Sequence, residues 1–232
     1  MREVVLEVPD GPLESGAPYW YWLGGRPAVD FVNTLRERWR RRVECLPQAS
    51  DLAEWLVRAR LLDRPAPVSA EVLSRARSLR EAIDAAIVAT VAKQRPAAEA
   101  IKEIDAWLPR ARSVPRLRLG ADRAVLREEG EPDPVLRALG LLALDAASML
   151  GTGERGRLRI CAGGCSARLY DRSPAGRRNW CSMRTCGNVA KARRHRDRAK
   201  RVGPGGSPSS SNHDLGTEQD HQGSVHRRPH AN

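Results

Sequence analysis

Apolar residues recur at helical spacing in five stretches of the chain, and these stretches predict five helices before residue 151. The clearest stretch follows Ser69, whose hydroxyl can accept a hydrogen bond from the first turn of a helix. Its apolar positions lie three or four residues apart and are Val72, Ala76, Leu79, Ile83, Ile87 and Val91. We therefore predict a long third helix with one buried face.

Two helices are predicted before this one. The first begins near Pro27, because proline suits the first position of a helix, where its missing N–H has no partner. Its apolar positions are Val32, Leu35 and Trp39. The second is predicted to be capped by Ser50 and to end before Pro65.

Two more helices are predicted after it. Pro96 begins the fourth, which continues through Ile101, Ile104 and Leu108. The fifth runs from about Pro134 to Leu150 and is apolar on most sides, so we expect it at the centre of the domain. Its apolar run is interrupted by Asp145 and is too short to cross a membrane.

The pattern changes at residues 115–128, where apolar and charged residues alternate around Gly120-Ala121-Asp122 and predict a β-hairpin. Gly151 and Gly153 indicate a short linker. Residues 202–232 are rich in Gly, Ser, Pro and His, which favours a disordered tail whose irregularly spaced histidines are solvated rather than chelating. The predicted organisation is a lead-in over 1–19, a helical domain over 20–153, a small module over 154–201 and the tail. The fold class is mainly α with a small β-hairpin, that is, α+β.

Charge is distributed unevenly along the chain. Residues 1–154 contain 23 Lys+Arg and 23 Asp+Glu, whereas residues 155–201 contain 15 and 2. An Arg-rich genome would enrich both regions in arginine, yet only the second lacks the balancing acids. A basic excess focused in one segment is typical of a surface that binds a polyanion.

The same basic segment contains four of the five cysteines: Cys161, Cys165, Cys181 and Cys186. Without a secretion signal, closely spaced cysteine pairs indicate a metal more often than disulfides. Two tight turns, each presenting two thiolates, suit tetrahedral Zn²⁺, and Gly163-Gly164 would let the first turn fold back on the metal. An iron–sulfur cluster or a redox dithiol is the alternative. Four thiolates leave no open coordination position, so the predicted zinc ion is structural.

Three other residues near these motifs have simpler interpretations. His195 follows the cysteines, but four sulfurs already complete a tetrahedral site, so we expect it on an exposed helix face. Cys45 is isolated and is predicted to be a small packed residue. Trp180 could stack on a nucleic-acid base, but we favour a core position, because large aromatics dominate small cores.

Residues 189–201 predict a strongly basic helix after the last cysteine. Arginine forks suit phosphates and guanine edges, so this helix and the loop before Cys181 are the candidate nucleic-acid surface. The candidate contacts are Arg177, Arg178, Lys191, Arg193, Arg194, Arg196, Arg198, Lys200 and Arg201.

Several stretches of the basic segment resemble the bacterial CGNR zinc-finger family: the four cysteines, Asp171-Arg172-Ser173, Arg178, Trp180-Cys181-Ser182-Met183, Cys186-Gly187-Asn188 and Lys191-Ala192-Arg193-Arg194. The stretch Leu23 to Thr34 looks like the opening of the ABATE domain that precedes this finger in the family. Val189 departs from the family pattern, which has Arg there. The resemblance implies a treble-clef or ribbon-like finger and a bacterial stress-response transcription regulator. Because no targeting segment or membrane-spanning run is visible in the sequence, we expect a cytoplasmic protein, associated with the nucleoid through DNA.

The function expected from these observations is DNA binding by a zinc-stabilised basic module, tuned by a helical sensor domain with an unidentified small-molecule effector. A zinc-stabilised adaptor for an acidic protein and an RNA-binding protein remain alternatives. No P-loop, dinucleotide fingerprint, HExxH or GxSxG motif occurs, so no enzymatic role is predicted. Gly24-Gly25 before a helix could cradle an anion, although a simple turn is favoured; Asp30 and Asn33 either line a pocket or cap and pair at the surface.

Overall fold

The computed structural model describes residues 20–201, without the side chains of Thr185 and of residues 199–201. Five helices form the first part: α1 (Pro27–Val32), α2 (Ala49–Arg58), α3 (Ala70–Val91), α4 (Ala98–Trp107) and α5 (Pro134–Gly151). A 3₁₀ turn, Leu108–Ala111, continues α4. Two-stranded antiparallel ribbons accompany the helices, so the predicted α+β class is confirmed. The predicted lead-in and tail lie outside the described residues.

Helix α5 lies at the centre of the helical domain, as its apolar composition predicts. It contacts α1, α3 and α4, and its side chains from Leu139 to Met149 fill the core on the inner face. Gly140 allows close packing, because a Cβ there would lie 2.7 Å from the backbone nitrogen of Ala111. The prediction that this apolar run is too short to cross a membrane is corrected, because α5 has 18 residues and is apolar enough to do so by length and composition. Its residues Leu139, Leu142, Ala143, Ala146 and Met149 are nevertheless fully buried in the domain core, as in a core helix.

The structure confirms one predicted helix cap, corrects another and moves the start of a third helix. The Val72 N–H donates to Ser69 Oγ at 3.1 Å, as predicted for α3. Helix α2, however, is capped by Gln48 rather than Ser50, and the Gln48 N–H donates to Asp51 Oδ2 at 2.7 Å. Helix α4 begins at Ala98, two residues beyond the predicted start at Pro96.

The first helix is shorter than predicted. It ends at Val32, and the chain forms a small ribbon in which β1 (Leu35–Arg36) pairs with β2 (Val43–Glu44). Trp39, predicted on the buried face of a helix, is 60% exposed. The cause is tertiary: the Arg38 guanidinium turns inward and donates to Glu81 Oε2 at 2.6 Å and to the Val32 carbonyl. Such contacts override local helical spacing.

The predicted hairpin is confirmed and extends from the domain. Strand β3 (Ser113–Leu119) pairs with β4 (Ala124–Gly130), and Leu117 lies opposite Leu126. The Gly120 N–H donates to the Arg123 carbonyl across the turn. Most of its side chains are exposed, including the apolar Leu117 and Leu126, so the alternating pattern does not bury either face of the hairpin.

The remaining elements carry the cysteines. Gly151 ends α5, and a 3₁₀ turn, Gly153–Arg157, leads into β5 (Leu158–Ile160), which pairs with β6 (Arg168–Tyr170). A π-helical turn, Met183–Gly187, precedes α6 (Asn188–Arg201), the basic helix expected from the sequence. We call residues 158–201 the zinc module.

Candidate metal centre and its attachment to the helical domain

Two turns of the zinc module bring four sulfur atoms together. Cys161 and Cys165 lie on the turn between β5 and β6, and Cys181 and Cys186 lie around the π-helical turn. All four Sγ atoms lie within 4.8 Å of one another. The Cys181 sulfur is 3.6 Å from that of Cys165 and 3.5 Å from that of Cys186.

These separations fit one tetrahedral zinc ion. A Zn–S distance of about 2.3 Å places the corners of a sulfur tetrahedron about 3.8 Å apart. All five cysteines are free thiols, so no disulfide competes for these sulfurs. The four cysteines would hold one Zn²⁺ without leaving a position for water or substrate, and the ion is therefore structural.

Glycines make the close approach of the two turns feasible. A Cβ on Gly163 would lie 2.5 Å from the Cβ of Cys186 and 2.9 Å from its sulfur. Gly164 has a φ of +81°, a conformation that side-chain-bearing residues rarely adopt. Gly163 is therefore needed because one cysteine turn packs against the other, whereas Gly164 is needed for its positive φ.

Backbone amides and neighbouring thiols prepare these sulfurs for a cation. The N–H groups of Gly163 and Cys181 both point at the Cys161 sulfur, each at 3.4 Å. A hydrogen bond from Cys165 is the main cause that lowers the pKa of Cys161. The pKa of Cys181 is raised, chiefly by its hydrogen bond with the Cys161 sulfur. Four thiolates cannot all ionise at these separations unless a cation neutralises them, and that is the state that zinc provides.

The zinc module is attached to the helical domain through strand β6. The buried side chain of Asn33 donates to the Arg168 carbonyl at 2.9 Å and accepts from the Arg168 N–H at 2.8 Å. The Asn33 amide therefore forms the same pair of hydrogen bonds with the backbone of β6 that a neighbouring strand would form. We considered Asn33 a pocket or surface residue from the sequence, whereas the structure places it between the two domains.

The Arg168 side chain enters the helical domain and is 2% exposed. Its Nε donates to Asp84 Oδ1 at 2.6 Å and its Nη2 donates to Asp84 Oδ2 at 3.1 Å. Asp84 lies on α3 and also pairs with Arg38 at 3.2 Å. The ion pair between α3 and β6 was not predicted from the sequence.

Gly24 and Gly25 form the turn favoured by the sequence, and it lies against β6. The Tyr170 N–H donates to the Gly24 carbonyl at 2.6 Å. Gly25 has a φ of +84°, and a Cβ there would lie 2.6 Å from the Tyr170 carbonyl oxygen. The two glycines therefore let the backbone of this turn lie close to the backbone of strand β6.

Asp30 closes the same turn by accepting the Gly24 N–H on Oδ1 at 2.7 Å. Burial raises the pKa of Asp30 to about 7, although the Gly24 hydrogen bond and the charge of Arg178 act in the opposite direction. Nearby, Arg26 pairs with Asp145 at 2.7 Å and with Glu154 at 3.1 Å. Asp30 thus stabilises the Gly24-Gly25 turn, which contacts β6 of the zinc module.

Arg178 is placed differently from the other candidate nucleic-acid contacts. It is half-buried, and its guanidinium donates to the carbonyls of Leu23, Trp180 and Cys181. It therefore ties the second cysteine turn to the helical domain, and its contact with phosphate stays a prediction. Three backbone acceptors direct its charge inward.

The basic side chains of α6 face solvent. Lys191, Arg193, Arg194, Arg196 and Arg198 are exposed, and none forms an ion pair with a described residue. Arg177 is exposed as well, whereas the side chains of Lys200 and Arg201 lie outside the described residues. His195 is exposed and is not one of the four clustered ligands, as expected.

Trp180 and Cys45 have the packed positions that we favoured. Trp180 packs against the cysteine cluster, and the Arg194 guanidinium lies over its ring at 5.7 Å from the centroid. Cys45 is 1% exposed and lies in the helical domain, apart from the other four cysteines.

Comparison with known families gives two matches in chain order. The model of the ABATE family, described as "Putative stress-induced transcription regulator", matches residues 25–153. The model of the CGNR zinc finger matches residues 157–199. A comparison with curated proteins finds no match. The family resemblance inferred from the cysteine motif and the residues around Asn33 is confirmed.

Proposed function

This chain belongs to the ABATE family and carries a CGNR zinc finger, and from that premise we propose that it regulates transcription by binding DNA through the zinc module. The helical domain is the regulatory part in this proposal. The observation that carries it is the row of exposed bases on α6 without carboxylate partners among the described residues.

The helical domain supports the proposal by contrast, because many of its arginines are neutralised. Arg80 pairs with Glu44 at 2.7 Å, Arg38 with Glu81 at 2.6 Å and Arg118 with Glu129 at 2.5 Å. A basic surface whose only role was solubility would be expected to have its arginines paired with carboxylates in the same way. The bases of α6 instead create a concentrated positive potential, which is the electrostatic footprint of a polyanion partner.

The geometry of α6 supports DNA as that polyanion. Its 14 residues give a helix about 21 Å long, and an isolated helix of this size fits the major groove. The zinc module anchors the start of α6 rigidly through Cys186, and Trp180 orients Arg194 from the same module. A helix held at one end by a metal site loses little entropy when it binds.

The decisive experiment is a salt titration of DNA binding by the zinc-loaded protein in the bacterial cytoplasmic pH range. The test variant replaces Arg193, Arg194, Arg196 and Arg198 with alanine. The matched control replaces four exposed hairpin arginines, Arg116, Arg118, Arg123 and Arg127, and changes the formal charge equally. Each lost phosphate contact should reduce the slope of log K against log salt by about 0.9.

We expect the α6 variant to lose up to about 3.6 from the slope and the hairpin control to lose none. Equal losses in both variants would show that total charge, not α6, governs binding and would refute the proposed interface. If the wild type binds RNA but not duplex DNA, or binds neither and captures an acidic protein, the proposed function is wrong and one of the two alternatives replaces it.

A further inference from the structure

A cleft of about 930 Å³ lies where the helical domain meets the entrance of the zinc module. The C-terminal end of α3, helix α4 and the end of α5 form three sides, and the segment leading into β5 forms the fourth. Its size lies within the range of small-molecule sites. Neither the metal centre nor the basic helix uses it.

The walls of the cleft are apolar. Ile104 and Leu158 are 4% and 2% exposed, and Val91 and Leu150 pack around them at the edge of the domain core. Ile101 is 44% exposed on the same cleft, although it belongs to a helix whose neighbouring apolar residues are buried. An apolar ligand body would cover Ile101 and extend the core outward.

The charged groups of the cleft are mostly cationic. Lys93, Arg155 and Arg159 line it, against the single carboxylate of Asp105. Lys93 and Arg155 form no ion pair with a described residue, and the Arg159 guanidinium donates to the carbonyls of Gly156, Leu158 and Gly176. The helix ends of α3 and α5 contribute only fractional negative charge, which the three full positive charges exceed.

We propose that this cleft binds an organic anion with an apolar body, such as a medium-chain or aromatic carboxylate. The carboxylate would lie against Arg155, with Arg159 adding positive charge to that end of the cleft, and the apolar body would lie on Ile101, Ile104 and Leu158. The proposal deepens the regulatory role of the helical domain and rests on the proposed function only for its consequence, that the ligand changes DNA affinity. Because Leu158 begins β5, the ligand would contact both domains at once.

The test uses three probes of equal chain length: octanoate, octan-1-ol and octyltrimethylammonium. Each is titrated calorimetrically into the full zinc-loaded chain. Since a charge-assisted contact strengthens binding, we expect octanoate to bind about tenfold more tightly than the alcohol and the ammonium probe to bind most weakly. Equal affinities for the three probes, or no heat from octanoate, would overturn the proposal.

Two exposed substitutions locate the site without disturbing the core. Ile101→Glu adds a carboxylate to the cleft and Arg155→Glu reverses an unpaired charge, so each should weaken octanoate binding at least about tenfold. The matched control, Arg123→Glu in the hairpin turn, should leave it unchanged. Octanoate binding that survives both cleft substitutions would place the ligand elsewhere.

The outcomes of the two proposals can be separated. If octanoate binds as expected but the protein fails to bind DNA, the cleft stands and the proposed function falls. If DNA binds through α6 but octanoate does not bind, the proposed function stands and the proposed cleft ligand is wrong. The regulatory consequence is confirmed when saturating octanoate shifts DNA affinity in the wild type but not in the Arg155→Glu variant.

Discussion

The ion pair between Arg168 and Asp84 gives the sharpest test of how the zinc module is held. Replacing Asp84 with alanine would leave Arg168, which is 2% exposed, with a charge that solvent cannot reach. The Ser166 carbonyl remains as an acceptor, and Arg38 retains Glu81. Breaking a buried pair from one side costs about 3–5 kcal/mol of unfolding free energy, and we expect a loss in that range.

The assay is urea unfolding followed by tryptophan fluorescence at saturating zinc. The control is Glu54→Ala, which removes an exposed pair with Arg58 and should cost less than about 1 kcal/mol. The double variant Asp84→Ala/Arg168→Met should be more stable than Asp84→Ala alone, since it no longer buries an unpaired charge. A loss for Asp84→Ala no larger than the control, or strict additivity in the double variant, would refute this account of the interface.

Three further predictions test the metal centre and the Gly24-Gly25 turn that contacts β6. Cys186→Ser should reduce bound zinc from one equivalent to none, measured by atomic emission, while the helical circular dichroism of residues 20–151 persists; retained zinc would contradict the ligand assignment. Gly163→Ala should weaken zinc affinity by more than Gly164→Ala, because only the Cβ at 163 meets Cys186; chelator competition measures both, and equal losses would contradict that reason. The raised pKa of Asp30, about 7 against an ordinary 3.8, means that the folded state holds a proton that the unfolded state loses; stability should therefore fall as pH rises from about 4 to about 7. Asp30→Asn keeps an acceptor for Gly24 and should flatten that dependence in urea titrations; an unchanged slope would show that Asp30 is not its source.

The sequence was sufficient where one local rule decided the structure. The period of α3 and its Ser69 cap, the alternation of the hairpin and the apolar composition of α5 each depend on neighbouring residues alone. The cysteine spacing was equally informative, because four thiolates in a chain of this composition have few other arrangements. The family resemblance then supplied the order of the two domains.

The sequence was insufficient where distant residues competed with local preference. Residues 33–42 have helical spacing, but Asn33 and Arg38 form contacts across the molecule that end the helix. Asp84 lies in the apolar stripe of α3, and a lone acid there was a usable signal for a buried cation. Nothing local identified Arg168 as that cation, since arginines are numerous throughout the chain. The contacts of Arg178 with the carbonyls of Leu23, Trp180 and Cys181 were missed for the same reason.

The two stretches that carry the family resemblance are far apart in sequence but adjacent in space. Gly24, Asp30 and Asn33 belong to the first, and through the Gly24 turn and the Asn33 side chain they bind strand β6 of the second. Cys165 lies three residues before β6, and Cys161 directly follows its partner β5. The metal centre and the attachment surface therefore share one ribbon. We therefore expect zinc occupancy and domain attachment to be lost together when either place is disrupted.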